Sequence, residues 1–154
     1  MHKLSAIGSY LKRIYRIYSA QVLDDLQAEG FLDLRPSFLE ILMYLTEHNT
    51  PSIKEIGEAC GLKKQTMTSH LNELEKRGYI LRKTSLRDRR EQQVHLTDYG
   101  EKFKYTLQSV IEKREYIYLQ KLGEVEFDRI IHTLTNLHQK IQTEKPTKGQ
   151  QTLI

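Results

Sequence analysis

Residues 51–80, PSIKEIGEACGLKKQTMTSHLNELEKRGYI, restrict what this chain can become more than any other stretch. Ser52 followed three residues later by Glu55 has the form of a capping box, so a short helix is expected to begin at 52, with Ile53 and Ile56 facing inward. Gly61 is suited to the left-handed conformation that ends such a helix. From 63 a second helix puts Met67, Leu71 and Leu74 on one face. Lys64, Gln65, Thr68, Ser69, Asn72 and Lys76 lie around the other, and the helix closes at Gly78. Two helices joined through a short glycine-containing turn form a helix-turn-helix.

Beyond Gly78 the periodicity changes from helical to alternating. Tyr79-Ile80-Leu81 reads as a strand, residues 84–91 are strongly polar, and Gln93-Val94-His95-Leu96 reads as a returning strand: a hairpin with a charged tip. Upstream, Leu4, Ile7, Leu11, Ile14, Tyr18, Val22 and Leu26 recur at helical spacing up to Gly30. A second helix, opened by Ser37 or Pro36, carries Phe38, Ile41, Leu42 and Leu45 and stops before the turn His48-Asn49-Thr50-Pro51. Downstream, a run from Thr97 carries Phe103, Leu107, Val110, Ile111 and Ile117 to Leu122-Gly123. A last helix carries Phe127, Ile130, Ile131, Leu134, Leu137 and Ile141. The fold class is therefore mainly α with a small β-hairpin wing. The polar tail 143–154, with Pro146 and Gly149, is expected to be disordered.

Charge is concentrated rather than large. Residues 76–90 hold seven basic side chains against Asp88 alone, a net of +6 (seven minus one), whereas the whole chain carries +4. Such a block inside a folded region is an electrostatic footprint for phosphate, and its bland alternative is a solvated face. The chain has 154 residues, 38% of them apolar, enough for one domain with helical extensions. No apolar run approaches the roughly 18 residues of a membrane span, and MHKLSAIGSYLKR has neither a long apolar segment nor a small-residue cleavage site, so a cytoplasmic protein is expected. The single cysteine, Cys60, excludes an internal disulfide and is expected to be a small core residue.

The order of elements resembles the MarR (multiple antibiotic resistance regulator) family of winged helix-turn-helix transcription factors over roughly residues 4–142. Asp88-Arg89-Arg90 followed by Val94-His95-Leu96-Thr97-Asp98-Tyr99-Gly100 is similar to the family's wing signature, D-x-R and then V-x-L-T-x-x-G. Leu74-Glu75-Lys76-Arg77-Gly78-Tyr79-Ile80 is similar to its exit from the recognition helix, and Leu34-Arg35-Pro36-Ser37-Phe38 with Ile41-Leu42 to its second-helix entry. Three departures stand out. Ser85-Leu86 replaces a frequent D-P before the wing core, Lys63 replaces a frequent serine at the start of the recognition helix, and Ser69 stands where a basic residue is common.

The resemblance implies a homodimeric, sequence-specific DNA-binding regulator, a ligand-responsive repressor. Segments 1–34 and 98–142 would be dimerisation helices, and 35–97 the DNA-binding lobe. Its recognition helix, 63–77, would lie in the major groove of double-stranded DNA and its wing, 84–92, at the minor groove. Gln65 can pair bidentately with adenine, Lys64 can reach guanine acceptors or a phosphate, and Thr68 can meet thymine or phosphate. Lys63, Thr66, Ser69 and Asn72 complete the helix's candidate set. In the hairpin, Arg89 is the first choice for insertion into a narrow minor groove, with Arg87 and Arg90 on phosphates or the groove edge. Asp88 is expected to pair with a neighbouring arginine and shape the wing.

One module reads only a half-site, so a two-fold dimer on a near-palindrome, with half-sites about one helical turn apart, is expected. A small aromatic or phenolic effector is implied by the resemblance. Tyr10, Tyr15, Tyr18, Tyr44 and Tyr105, with Tyr116 and Tyr118, lie on helices that could line its pocket, although tyrosines at helical spacing are more often core or interface. No cofactor or metal is expected: His132 and His138 are six residues apart, not the three or four that puts two ligands on one helical face. Cys60 sits at the helix-turn-helix junction, away from the first helix, where redox-responsive relatives carry their reactive cysteine. Nothing pairs a nucleophile with a base, so no enzyme is expected. The alternative of a different class is a winged-helix dimer that binds protein and not DNA.

Overall fold

The helix-turn-helix forms from the local signals. In the computed structural model, which describes residues 2–142, Ser52 caps the third helix and its hydroxyl accepts from Glu55 N–H at 3.1 Å. That helix, α3 (Ile53–Cys60), ends where Gly61 takes φ 64°, Leu62 N–H bonds Gly57 C=O, and Gly61 N–H bonds Glu58 C=O. Helix α4 (Lys64–Lys76) closes in the same way at Gly78, φ 86°, with Tyr79 N–H on Leu74 C=O. In both motifs the residue after the glycine is apolar and turns the chain back toward the core.

The other described elements are α1 (Lys3–Ala28), α2 (Pro36–Glu47), β1 (Ile80–Thr84), β2 (Gln92–Leu96), α5 (Asp98–Leu122) and α6 (Glu124–Gln142). Pro36 occupies the first turn of α2, where its missing N–H costs nothing. The two strands pair antiparallel, from Ile80 opposite Leu96 to Thr84 opposite Gln92. Val94 N–H also reaches Pro51 C=O at 2.9 Å, which fastens the hairpin to the turn before α3.

The chain divides into two compact units, up to Glu112 and from Lys113 onward. The first holds the core: Val22 and Leu26 of α1, Phe38, Ile41 and Leu42 of α2, Ile56 of α3, Met67, Leu71 and Leu74 of α4, Tyr79, Ile80, Val94, Phe103 and Leu107. An aromatic cluster closes it, with Phe31 edge-on to Phe103 at 5.3 Å and Tyr79 edge-on to Phe103 at 5.5 Å. Thr97 N–H bonds Tyr79 C=O at 3.1 Å, and its hydroxyl accepts from Gly100 N–H at 3.0 Å, so α5 starts from the α4–β1 junction.

The stripe of α1 is not uniformly buried. Val22 and Leu26 are sealed, whereas Leu4, Ile7, Leu11 and Ile14 are exposed. The second unit comprises the end of α5 and α6, and α6 has no buried residue; Val125, Ile130, Ile131, Leu134 and Ile141 are exposed. Among the described residues no helix is long and apolar enough to cross a membrane. The tail 143–154 lies outside the described residues.

Candidate nucleic-acid interface

Helix α4 sets its polar face by first fixing its apolar one. Met67, Leu71 and Leu74 are buried, so residues 64, 65, 68, 69 and 72 fall on the opposite side, and all five are exposed. The helix is about 20 Å long, enough to lie in a major groove with its first two turns presented. Lys63 occupies the cap position without a side-chain hydrogen bond, and the first turn has no acidic residue. That end therefore keeps its free N–H groups and positive dipole, which favour a phosphate oxygen. Lys63 and Thr66 are exposed beside it. Thr68 Oγ donates to Lys64 C=O at 2.9 Å, which leaves its methyl group and lone pairs turned outward.

The far end of α4 is clamped. Arg77 bonds the carbonyl of Asp33, lies 3.4 Å from Glu73 Oε2, and stacks over the Phe38 ring at 5.0 Å. Tyr79 donates its hydroxyl to Asp33 Oδ1 at 2.8 Å; burial and that bond hold the phenol well above its ordinary pKa. Inside the lobe, His70 meets Phe38 edge-on at 5.2 Å, and burial with the nearby Arg35 charge lowers its pKa.

Arg82 on β1 carries the helix to the wing. Its guanidinium holds Glu75 Oε2 at 2.6 and 3.2 Å and Asn72 Oδ1 at 2.8 Å. Two of the seven basic residues in 76–90, Arg77 and Arg82, are thus tied within the lobe. Asn72 presents its amide already oriented by Arg82.

The wing tip is a bonded turn. Ser85 is buried, and its hydroxyl accepts from Arg87 N–H at 3.2 Å and Asp88 N–H at 3.4 Å. Ser85 N–H in turn bonds Glu91 C=O at 2.9 Å. Asp88 Oδ1 accepts from Arg90 N–H at 3.0 Å and lies 3.5 Å from Arg90 Nε. Arg87 and Arg89 are exposed and have no ion pair among the described residues. In the sequence Ser85 stands out only as a departure from the family's D-P, not as the residue that shapes the tip. A serine bonding the backbone two and three residues on is a recognisable turn former, so the signal was present.

A groove of about 800 Å³ separates the start of α4 from the wing, floored by Ile53, Leu62 and Met67 and rimmed by Lys64 and Arg90. A second cavity of about 430 Å³ lies between the end of α2, β2 and the start of α5. Neither is lined by a tyrosine. Tyr15 and Tyr18 have ring centroids 6.4 Å apart, and Tyr18 donates to Met43 Sδ at 3.4 Å. Tyr44 stacks on His48 at 3.9 Å, whereas Tyr10 and Tyr105 are exposed. Of the five, Tyr15 and Tyr18 are in ring contact with each other. Cys60 is half-buried, and burial first, then the Glu40 carboxylate, pushes its thiol up to about 11. Among the described residues no group of three or more histidine, cysteine or acidic side chains is placed to hold a metal ion.

Residues 34–92 match the model of the MarR family. Among solved structures, the chain is similar to a MarR transcriptional regulator from Methanosarcina mazei Go1, with TM-score 0.77 and 18% identity over 90% of this chain and 98% of that one. It is similar to Streptococcus pneumoniae FabT, solved in complex with DNA, with TM-score 0.71 and 23% identity over 93% and 100%. PcaV from Streptomyces coelicolor, solved in complex with its natural ligand, has TM-score 0.65 and 18% identity over 90% and 93%. At these identities the likeness is one of fold.

Proposed function

Through residues 34–92 this chain belongs to the MarR family, and from that premise we propose that it is a homodimeric DNA-binding transcriptional regulator. The reading rests on one juxtaposition: a fully exposed polar stripe on α4 and two exposed arginines, Arg87 and Arg89, at the tip of a wing fastened to the same helix. In this reading Lys64, Gln65, Thr68, Ser69 and Asn72 meet base edges or phosphates in the major groove. Lys63 and Thr66 take the backbone at the helix start, and Arg89 enters the minor groove beside Arg87 and Arg90. The Asp88 bonds hold the wing in shape. FabT, similar in fold, is solved in complex with DNA, which supports DNA binding by this architecture.

The lobe 35–97 then reads one half-site, and segments 1–34 and 98–142 pair with those of a second copy. The exposed apolar residues of α1 and α6 support that assignment, because an isolated chain would leave them in water. In this reading the regulator acts as a repressor that a small aromatic effector releases; PcaV's complex with its natural ligand supports ligand binding by a similar fold, and the Tyr15–Tyr18 pair is the local feature that would fit an aromatic one.

Selection of duplexes from a random pool, followed by salt titration of the best binder, tests the reading. Log affinity is expected to fall with log salt at about −0.9 per phosphate contacted. Arg89→Ala is expected to weaken binding without lowering the melting temperature. A flat salt response, or no selected duplex, would leave the protein-interaction module as the better account. Thermal-shift measurement with aromatic acids checks the effector: no stabilisation by any of them removes it.

A further inference from the structure

The wing tip presents an apolar side chain to which the proposed DNA contacts give no task. Leu86 is 104% exposed, the most exposed of the large apolar residues described, and it sits between buried Ser85 and exposed Arg87. A single exposed leucine is ordinary in itself. Its setting is not. The hydroxyl of Ser85 holds the backbone N–H groups of Arg87 and Asp88, Ser85 N–H bonds Glu91 C=O, and Glu91 N–H bonds Asp88 C=O at 3.0 Å. Inward Ser85 and outward Leu86 are thus opposite sides of one preorganised turn, and the exposed Arg87 directly follows the leucine.

We propose that Leu86 is a wedge that enters the minor groove with the wing and partly unstacks one base step, so that it makes the chain selective for an easily deformed step at that position. The proposal rests on the DNA-binding reading and deepens it. Proteins that bind the minor groove frequently insert apolar side chains between base steps while arginine and lysine read the groove's width. Leucine is large enough to part a step and carries no group that must stay hydrated. A turn fixed before binding does not have to be ordered at the moment of insertion. Unstacking is easiest at pyrimidine–purine steps, so a TA or CA step at the wing contact would be favoured although no hydrogen bond reads it.

The test uses the full chain and a duplex selected from a random pool, with 2-aminopurine placed in turn at the steps contacted by the wing. Wild-type protein is expected to raise its fluorescence at one step on binding, as an unstacked base does. Leu86→Ala is expected to bind on the order of tenfold more weakly, to lose the fluorescence rise and the preference for the flexible step, and to keep both its melting temperature and its salt slope. Leu86→Met retains the rise. Equal affinity and equal fluorescence for wild type and Leu86→Ala would make the leucine an idle surface residue and overturn the wedge alone. Failure of the wild-type chain to bind any selected duplex overturns the DNA-binding reading and the wedge with it.

Discussion

Arg82 Nη2 lies 2.6 Å from Glu75 Oε2, joining the first strand of the wing to the last turn of α4. With the Arg82–Asn72 bond and the Val94–Pro51 bond, the pair helps to set the angle between helix and wing. The bond from Arg82 holds the Glu75 carboxyl below its usual 4.5, against an opposing effect of burial and with help from the Arg82 charge. A carboxylate lowered in the folded state binds fewer protons there than when unfolded. Its contribution is therefore complete above the unfolded pKa and is lost as pH falls through the folded one. The melting temperature of the wild type should thus drop more steeply than that of Glu75→Gln as pH falls below about 4.5. Both side chains keep some solvent access, so the gap near neutral pH is about 1 kcal/mol at most. Parallel pH profiles would refute the linkage.

Gly100 stands where no other residue fits. A Cβ there would come within 2.2 Å of the Tyr79 carbonyl oxygen and 3.1 Å of Leu96 Cβ. The clash is with backbone that Thr97 also binds, so relief requires moving the start of α5 from the hairpin. Gly100→Ala is expected to cost about 1–3 kcal/mol in chemical denaturation. A variant as stable as the wild type would mean that the junction is looser than its bonds indicate.

These two contacts show what the sequence disclosed and what it concealed. Periodicity and glycine punctuation located the helices, because each signal acts within a turn or two: Ser52 caps from three residues away, and Gly61 and Gly78 end α3 and α4. The approach of Gly100 to Tyr79, 21 residues earlier in number, exists only after the hairpin has folded back. The basic window mixed two kinds of arginine. Glu73 four residues before Arg77 is a helical pairing visible in the sequence, whereas Glu75 reaches Arg82 through the helix-to-strand turn. Spacing likewise identified the α1 stripe but not its partners, since an amphipathic pattern is the same whether the core or a second chain covers it.

Cys60 should be a slow thiol. Its pKa of about 11, against an ordinary 9.0, leaves about a hundredth of the usual thiolate at neutral to mildly alkaline pH. Reaction with an aromatic disulfide reagent at about pH 8 should accordingly be on the order of tenfold slower than for an unhindered thiol, because the scarcer thiolate is also the more nucleophilic one. Because the Glu40 charge adds to the effect of burial, Glu40→Gln should accelerate the reaction. A rate matching a free thiol would reopen a redox role.

The exposed half of α1 gives the sharpest test of assembly. Leu11 and Ile14 lie one turn apart, are 41% and 57% exposed, and precede the part of the helix that Val22 and Leu26 anchor in the core. Replacing both with glutamate should therefore spare the fold of the lobe while placing four carboxylates in the interface of a two-fold dimer. About half of each side chain remains to be buried, so each of the four removed from such an interface forfeits on the order of 1 kcal/mol before any repulsion is counted. The dissociation constant should rise by at least about two orders of magnitude, since roughly 1.4 kcal/mol is a factor of ten. Sedimentation velocity at micromolar concentration should then show a dimer for the wild type and a monomer for the double variant, with equal helical circular dichroism. A dimeric variant would remove α1 from the interface. A monomeric wild type would remove the dimer itself, and with it the near-palindromic operator.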